Sequence, residues 1–346
     1  MKNKVISEII QLCLSIENAA YETYNELSDS TKNRTMKKFW KVMSSEEKTH
    51  IAFWEKLKYY TSRFTFPPVF ESPLKTKNEL QQIVPKAKVL IKKSKKLKDI
   101  PKTFLIAYRL EFYLLHPSFE MLFHTMCPLI QGKSPEKEYD DHIQKFINCL
   151  EKNRQLSLEL DLLGETLKNL WDKSKTLTLQ ATTDFLTTLY NRHGFHCFAE
   201  QFCYLAKRNK KYVAVIMIDI DDFKKVNDKY GHPFADIVLK EISLKTKSLI
   251  RKSDLIGRYG GEELIVFLPE VKPKGILVLA EKIRKNIEAL KPNNITVTVS
   301  IGYSYRKIKN NINIELQELI NMADNNLLKA KQSGKNQVYS DQLINN

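Results

Sequence analysis

The sequence predicts two domains of different class: an all-α helical bundle over residues 1–155 and an α/β domain over residues 179–346, joined by a helical linker over 156–178. Three observations carry this prediction. The first part holds almost no glycine and reads as long amphipathic patterns separated by short polar or proline-bearing joints. After about Ala181 the texture changes to short β-rich apolar runs interleaved with helical patterns. Between the two, Leu156, Leu160, Leu163, Leu167, Leu170, Ser174 and Leu177 recur at alternating steps of four and three, the seam of a heptad repeat.

In the first part the periodicity predicts helices near 3–29, 32–61, 78–96, 101–126 and 136–170. Pro67-Pro68 and Ser72-Pro73 mark an irregular crossing, and Pro117 is expected to kink or break the fourth helix. The heptad seam predicts a short two-stranded coiled coil; the alternative, that the stripe packs on its own domain, stays open. In the second part, 212–219, 264–268 and 296–301 read as strands, alternating with helices at 191–208, 234–251, 274–290 and 315–331.

A chain of 346 residues accommodates two ordinary domains. The formal net charge of +16 admits nucleic acid, an anionic membrane surface or a nucleotide as partner. Much of it is lysine in runs such as Lys92-Lys93-Ser94-Lys95-Lys96, read as solvated surface, and no base-reading motif accompanies it, so no nucleic-acid partner is expected. No apolar stretch is long enough to span a membrane and no signal peptide is expected. Cys13, Cys127, Cys149, Cys197 and Cys203 are scattered and odd in number, as in a reduced cytoplasmic protein.

Chemistry concentrates in the second part. The run Asp219-Ile220-Asp221-Asp222-Phe223-Lys224 sets carboxylates just past a buried strand, at the sheet edge where ligands commonly bind. Such hard oxygen ligands suit Mg²⁺. In Arg258-Tyr259-Gly260-Gly261-Glu262-Glu263-Leu264, two glycines permit a tight hairpin with positive φ, and the turn presents two acids. If Asp219 lies on the neighbouring strand, the acids and Asp219 converge on one metal.

Over roughly 175–346 the sequence resembles the GGDEF family of diguanylate cyclases. The motifs are Asp184-Phe185-Leu186-Thr187-Thr188-Leu189-Tyr190-Asn191-Arg192, the run from Asp219 to Asp236, the Gly-Gly-Glu-Glu turn, Ser300-Ile301-Gly302, Ala323-Asp324, and Lys331-Gln332-Ser333-Gly334-Lys335-Asn336. The resemblance implies a nucleotidyl-cyclase-like fold, a ferredoxin-like core with an antiparallel sheet and flanking helices. It implies that two GTP-loaded domains of a homodimer join two GTP into cyclic di-GMP and release pyrophosphate. Asp219, the Ile220 carbonyl and Glu262 or Glu263 would hold Mg²⁺ or Mn²⁺, and Glu262 would help deprotonate the attacking hydroxyl. Lys224 would steady transition-state charge. Asn227 and Asp236 would bond the guanine edge with His232 nearby, and Lys331 and Lys335 would grip the terminal phosphates. Leu264 departs from the phenylalanine common in the family and is expected to face the core. Arg251-Lys252-Ser253-Asp254 stands at the spacing of the family's R-x-x-D product-inhibition site, with Arg251 and Asp254 as the residues that would bind cyclic di-GMP.

In the first part, Glu47-Lys48-Thr49-His50 places a glutamate and a histidine on one helix face, and Glu17 lies on the preceding helix. Glutamates on two helices plus Glu-x-x-His on two others make a ferritin-like di-iron plan. Glu111 stands as the second lone glutamate. Glu151-Lys152-Asn153-Arg154 stands where the second Glu-x-x-His falls, with Arg154, which cannot ligate, in the histidine position. His116, Glu120, His124 and His142 are alternative ligands. Residues 1–155 thus resemble the rubrerythrin-like branch of the ferritin-like family, implying a di-iron centre that senses oxygen, peroxide or redox state and regulates the cyclase. Two rival readings remain: a catalytically silent domain that receives cyclic di-GMP, and a helical half that is itself a redox enzyme.

Overall fold

The computed structural model describes residues 2–63, 69–70, 72–95, 97, 99–126, 135–153 and 158–341. The chain divides into two compact units, Met1–Thr178 and Leu179–Asn346. Pro67, Pro68, Cys127, Arg154 and Leu156 lie outside the described residues.

The first unit is built from α1 (Lys2–Ser30), α2 (Arg34–Arg63), α3 (Pro73–Ser94), α4 (Ile100–Leu114), α5 (Pro117–Met126), α6 (Pro135–Lys152) and α7 (Leu158–Thr182), the last running on into the second unit. The third helix starts earlier than its hydrophobic pattern: Pro73 occupies the first helical turn, where a missing N–H costs nothing. Pro117 breaks the fourth helix as expected and opens α5. The expected helix 136–170 is two helices. Asn153 ends the first, its side chain donating back to the Cys149 carbonyl at 2.8 Å. The core is aromatic: Trp40, Trp54, Phe104, Phe119, Phe123 and Phe146 are fully buried. Trp54 sits 5.2 Å from both Phe119 and Phe123 between ring centroids. Burial of each such side chain is worth roughly 1.5–3 kcal/mol.

The heptad stripe of α7 turns inward. Leu160, Leu167 and Ser174 are buried within the chain, Trp171 beside them is 4% exposed, and Gly164 lies against Leu150 of α6. Among the described seam residues, Leu163 and Leu170 are half-buried and Leu177 alone is exposed. The physical reason is that a heptad specifies an apolar seam and not its partner; α6 touches this helix through Leu150 at Gly164 and through Asp140 at Trp171 and Lys175.

The second unit comprises α8 (Arg192–Arg208), β1 (Tyr212–Ile220), α9 (Phe223–Tyr230), α10 (His232–Leu249), β2 (Leu255–Arg258), β3 (Glu263–Val271), α11 (Pro273–Leu290), β4 (Val299–Lys307), α12 (Ile312–Gln332) and β5 (Val338–Tyr339). The sheet order is β2-β3-β1-β4-β5. The first four strands pair antiparallel as expected, and β5 adds a short parallel edge to β4, so the sheet is mixed. The strand expected at 296–301 begins at Val299 and continues to Lys307, through the alternation of Tyr303, Ser304 and Tyr305.

Both faces of β1 are covered, which is why it reads as one apolar run. Ala214, Ile216, Ile218 and Ile220 pack with Val238 and Ile242 of α10 and Ile276 and Ile283 of α11. Val213, Val215 and Met217 pack with Phe195 and Phe198 of α8 and Leu319 and Ala323 of α12. Leu264 is fully buried, as expected. No helix among the described residues is long and apolar enough to cross a membrane.

One buried acid sits in this second layer. Burial pushes the Glu200 carboxyl on α8 up from 4.5 to about 7. The folded state therefore holds this proton more tightly than the unfolded chain. The resulting stabilisation is complete below about pH 4.5 and lost as pH rises through 7. Glu200→Gln should stabilise the second unit at pH 8, by at most about 3 kcal/mol, seen as a higher melting temperature, and change its stability little at pH 4. An equal shift at both pH values would contradict this account.

Candidate active site

Strand alternation puts Asp219 on the α12 side of the sheet, following Val213, Val215 and Met217. There its carboxylate, 5% exposed, meets Lys331 Nζ at 2.7 Å. In the β1–β3 register Asp219 lies opposite Glu263. The expectation that the hairpin acids flank Asp219 on the neighbouring strand is therefore met in the sheet. Burial raises the Asp219 pKa to about 6; Lys331 opposes the rise, and Glu262 and Glu263 add to it. Asp219, with Glu262 and Glu263 near enough to act on it by charge, offers carboxylate oxygens of the kind a hard divalent cation takes.

The hairpin closes with Tyr259 N–H donating to the Glu263 carbonyl at 2.8 Å. Neither Gly260 nor Gly261 takes the left-handed φ expected of them. Gly260 is needed for space: a Cβ there would stand 2.4 Å from Glu263 Oε2. Arg258 braces the turn, donating from Nε and Nη2 to the Gly261 carbonyl at 3.0 and 2.8 Å and from Nη1 to both oxygens of Asp184.

Lys224 is exposed on the first turn of α9, and Asn227 follows one turn later on the same face. Asn227 Oδ1 is buried without a hydrogen-bond partner, a carbonyl acceptor suited to a ligand N–H. His232 opens α10, and Asp236 is exposed one turn along it. Lys335 Nζ lies 2.9 Å from Asp222, so both candidate phosphate lysines are paired with carboxylates at the end of β1. Ile220 is the last residue of that strand.

A residue quoted in the motif but given no role organises the site. Asp221 is buried and accepts from Thr298 Oγ1 at 2.7 Å, Ser300 Oγ at 2.6 Å and the Asn336 backbone N–H at 3.0 Å. It thereby ties β1 and β4 to the loop Gly334-Lys335-Asn336, in which all three residues have positive φ. Arg284 holds the same loop through Asn336 Oδ1 at 2.7 Å. Two non-glycine residues in this backbone region persist only where the surroundings over-determine them.

Arg251 and Asp254 form a closed turn: the Arg251 N–H donates to Asp254 Oδ2 at 2.9 Å, and the Asp254 N–H to the Arg251 carbonyl at 3.0 Å. They line a cleft of about 690 Å³ together with Lys272, Lys274 and Lys282. The cleft joins an arginine and three lysines to two carboxylates, Asp254 and Glu270, a basic excess suited to a phosphate-bearing ligand.

In the first unit, α1, α2, α4 and α6 bring Glu17, Glu47, His50, Glu111 and His142 together, all buried. His50 Nδ1 lies 2.9 Å from Glu47 Oε2 and 3.8 Å from Glu17 Oε2. His142 Nε2 lies 3.2 Å from Glu47 Oε1 and 3.0 Å from Glu111 Oε1. Glu47 thus stands between two half-clusters, one oxygen toward each. Glu17 Oε2 and Glu111 Oε2 are buried with no hydrogen-bond partner. Ligand atoms of Glu47, His50 and His142 fall within 4.8 Å of one another. Tyr24 donates to Glu111, and Tyr139 and Trp54 donate to Glu17. Burial and the Glu47 charge push the Glu17 carboxyl well up, and Glu111 and Glu47 overcome burial to raise the His142 imidazole.

Glu151 does not join them; it is exposed near the end of α6. The position belongs to His142, more than two turns earlier on α6. The second i, i+3 motif is Tyr139-x-x-His142, with a phenol where the template has a carboxylate. The spacing was present in the sequence, but a search for glutamate passes over it. His116 is held by Ser118 and Glu79, away from this set.

Residues 181–337 match the family model described as "Diguanylate cyclase, GGDEF domain". "Diguanylate cyclase A" of Treponema denticola is 38% identical over 165 residues, 45% of this chain and 43% of that protein. "Probable diguanylate cyclase DgcT" of Escherichia coli K12 is 38% identical over 171 residues, 48% of this chain and 37% of that protein. The chain thus spans less than half the length of these two relatives. A solved structure of the coiled coil and GGDEF domain of DgcB from Caulobacter crescentus in complex with c-di-GMP is 26% identical, covers 53% of this chain and 99% of that one, and has a TM-score of 0.48.

Proposed function

We propose that this chain, which carries a GGDEF domain over residues 181–337, is a diguanylate cyclase that joins two GTP into cyclic di-GMP as a homodimer. The observation that carries the reading is the convergence of Asp219 with the acids of the Gly-Gly-Glu-Glu hairpin across one strand pair.

Asp219, the Ile220 carbonyl and Glu262 or Glu263 would hold Mg²⁺ or Mn²⁺, which would supply neutralisation of phosphate charge. Each half-site presents one GTP. The 3′-oxygen of each forms a bond to the α-phosphorus of the other, the bond to pyrophosphate breaks, and Glu262 accepts the hydroxyl proton. Lys224 faces the charge that develops on the phosphoryl oxygens. Lys331 and Lys335 exchange their carboxylate partners for terminal phosphate oxygens. Asn227 Oδ1 accepts a guanine N–H, Asp236 takes the neighbouring donors, and His232 lies beside the same nucleotide. Two sites must face each other because each supplies only one nucleotide.

Incubation of the full chain with GTP and Mg²⁺, followed by chromatography, tests this directly. Cyclic di-GMP and pyrophosphate are expected. Binding of cyclic di-GMP with no product at any protein concentration would leave the silent-receptor reading instead.

The Arg251 cleft is a product-inhibition site in this reading. Arg251→Ala should raise the cyclic di-GMP concentration for half inhibition at least about tenfold, the loss of one charge-assisted bidentate contact, with the initial rate unchanged. Inhibition equal to wild type overturns the assignment.

A second reading concerns the first unit and is favoured by its buried cluster. Glu17, His50, Glu111 and His142, with Glu47 between them, form a two-metal site that binds iron and reports oxygen, peroxide or redox state to the cyclase. Three buried carboxylates with orphaned oxygens and two imidazoles supply the mixed O and N donors such ions take. Iron supplies reactivity toward oxygen when bound; Tyr24, Tyr139 and Trp54 orient the carboxylates through their hydrogen bonds. Less than about one iron per two chains after anaerobic loading removes this reading.

A further inference from the structure

Helix α6 carries parts of two systems within one turn. Tyr139 and His142 point into the buried cluster: Tyr139 is bonded to Glu17 and stacked 3.8 Å from His50 between ring centroids, and His142 is in contact with Glu47 and Glu111. Asp140, between them, faces α7. It accepts from Trp171 Nε1 at 2.6 Å and from Lys175 Nζ at 2.8 Å. Trp171 is almost wholly buried, so its N–H faces little competing water, while the Asp140 carboxylate is half-exposed.

Helix α7 continues to Thr182, where its last turn is held firmly. The Asn191 N–H donates to the Thr182 carbonyl at 3.0 Å, and Asn191 Nδ2 to the Ala181 carbonyl at 3.0 Å. Two residues on, Asp184 binds Arg258, which binds the Gly261 carbonyl of the catalytic hairpin. A displacement of α7 therefore has a fixed contact at each end.

We propose that α6 is the relay between the two-metal site and α7, and that the Asp140 clamp on Trp171 and Lys175 carries the signal. The proposal rests on reading the cluster as a metal site. The present spacings, 3.0–3.2 Å from His142 Nε2 to two carboxylate oxygens, are contacts made directly between the groups. An ion held about 2.0–2.2 Å from each donor must enter between them and part His142 from Glu47 and Glu111, whereas Glu17 Oε2, unbonded and 3.8 Å from His50 Nδ1, can turn to the ion while Tyr139 and Trp54 hold Oε1. His142 belongs to α6 and Tyr139, one turn before it, ties the same helix to Glu17, so the adjustment acts on α6. Packed helices answer such a push by a small rigid shift. Asp140 cannot move with α6 without drawing Trp171 and Lys175, and hence α7, with it.

The test uses the full chain, metal-free or loaded anaerobically with ferrous iron. It follows iron content, amide hydrogen exchange of residues 158–182, and the rate of cyclic di-GMP formation. In wild type, iron should change α7 exchange and shift the rate by about fivefold or more, the usual lower bound for coupled sites. Asp140→Ala should bind the same iron and keep the metal-free rate, but lose both responses. Trp171→Phe keeps the packing and removes only the N–H donor, so it should behave alike if the clamp matters and not the bulk. A wild-type response retained in both variants at full iron content overturns the relay, as does iron-loaded wild type with unchanged exchange and rate. Wild type that binds no iron removes the metal reading beneath the proposal and the proposal with it. Absence of product in every sample would instead strike the cyclase reading, and the exchange data would still decide the relay.

Discussion

Asp219→Asn is expected to abolish product formation and at the same time to stabilise the second unit. In the cyclase reading proposed above, this substitution would remove an oxygen ligand of the cation that neutralises phosphate charge. Several kcal/mol of transition-state stabilisation go with it, a fall of about a thousandfold or more in rate. Stability moves the other way. Burial, with Glu262 and Glu263 nearby, raises the Asp219 pKa from 3.8 to about 6. The protonated form is therefore favoured by folding; this stabilisation is whole below pH 3.8 and lost as pH rises through 6. At pH 7–8 the native carboxylate costs about 1–3 kcal/mol, which the uncharged amide avoids. Lys331, about one-third exposed, can turn its ammonium to water when its partner is gone. Product assays and melting curves on one sample check both halves. Activity within tenfold of wild type, or a lower melting temperature at pH 8, would contradict the expectation. A gain in stability bought with activity marks a residue kept for chemistry.

Gly302→Ala is expected to unfold the second unit or nearly so. Gly302 sits mid-way along β4 directly under α12. A Cβ there would stand 2.0 Å from the Leu327 backbone nitrogen and 2.3 Å from the Ala323 carbonyl oxygen. These are backbone atoms, so no rotamer change relieves the clash. Helix α12 must lift from the sheet and open the layer that contains Leu319, Ile320, Ala323 and Leu327. The cost is about 3–5 kcal/mol, against a total for a domain of about 5–15 kcal/mol. Separate thermal transitions would register it as a loss confined to the second unit. A destabilisation under about 1 kcal/mol would mean that α12 approaches β4 less closely than described.

Reading from sequence went furthest where position along the chain determines position in space. The apolar run ending in Asp219, the Gly-Gly turn and the Arg251–Asp254 spacing are local, and a strand or turn fixes them within a few residues. The role of the two glycines was harder. Their freedom of φ looked like the reason for them, whereas Gly260 is required by the carboxylate of Glu263, a clash that only the folded hairpin reveals. In the helical unit a spacing of three says that two residues share a face, not that the face points inward. Glu17, Glu47, His50 and Glu111 do meet, but Glu151 faces solvent and His142 takes part instead. The heptad of α7 has the same limit: Leu160 and Leu167 ask for a neighbour, and which helix answers is a long-range matter. Lys331 and Lys335 lie at the end of β1 beside Asp219 and Asp222, contacts across more than a hundred residues that no local pattern encodes.

The three-way bond at Asp221 also sets an order of events during synthesis. Thr298 and Ser300 come almost eighty residues after it, and Asn336 comes 115 residues after it. A ribosome releases these segments in that sequence, so β1 and the hairpin emerge well before the loop that carries Lys335. The sheet can form its central pairs while the phosphate end of the site does not yet exist. In the cyclase reading proposed above, a growing chain could not turn over nucleotide before the loop that carries Lys335 emerges, and that loop is the last part of the site to leave the ribosome.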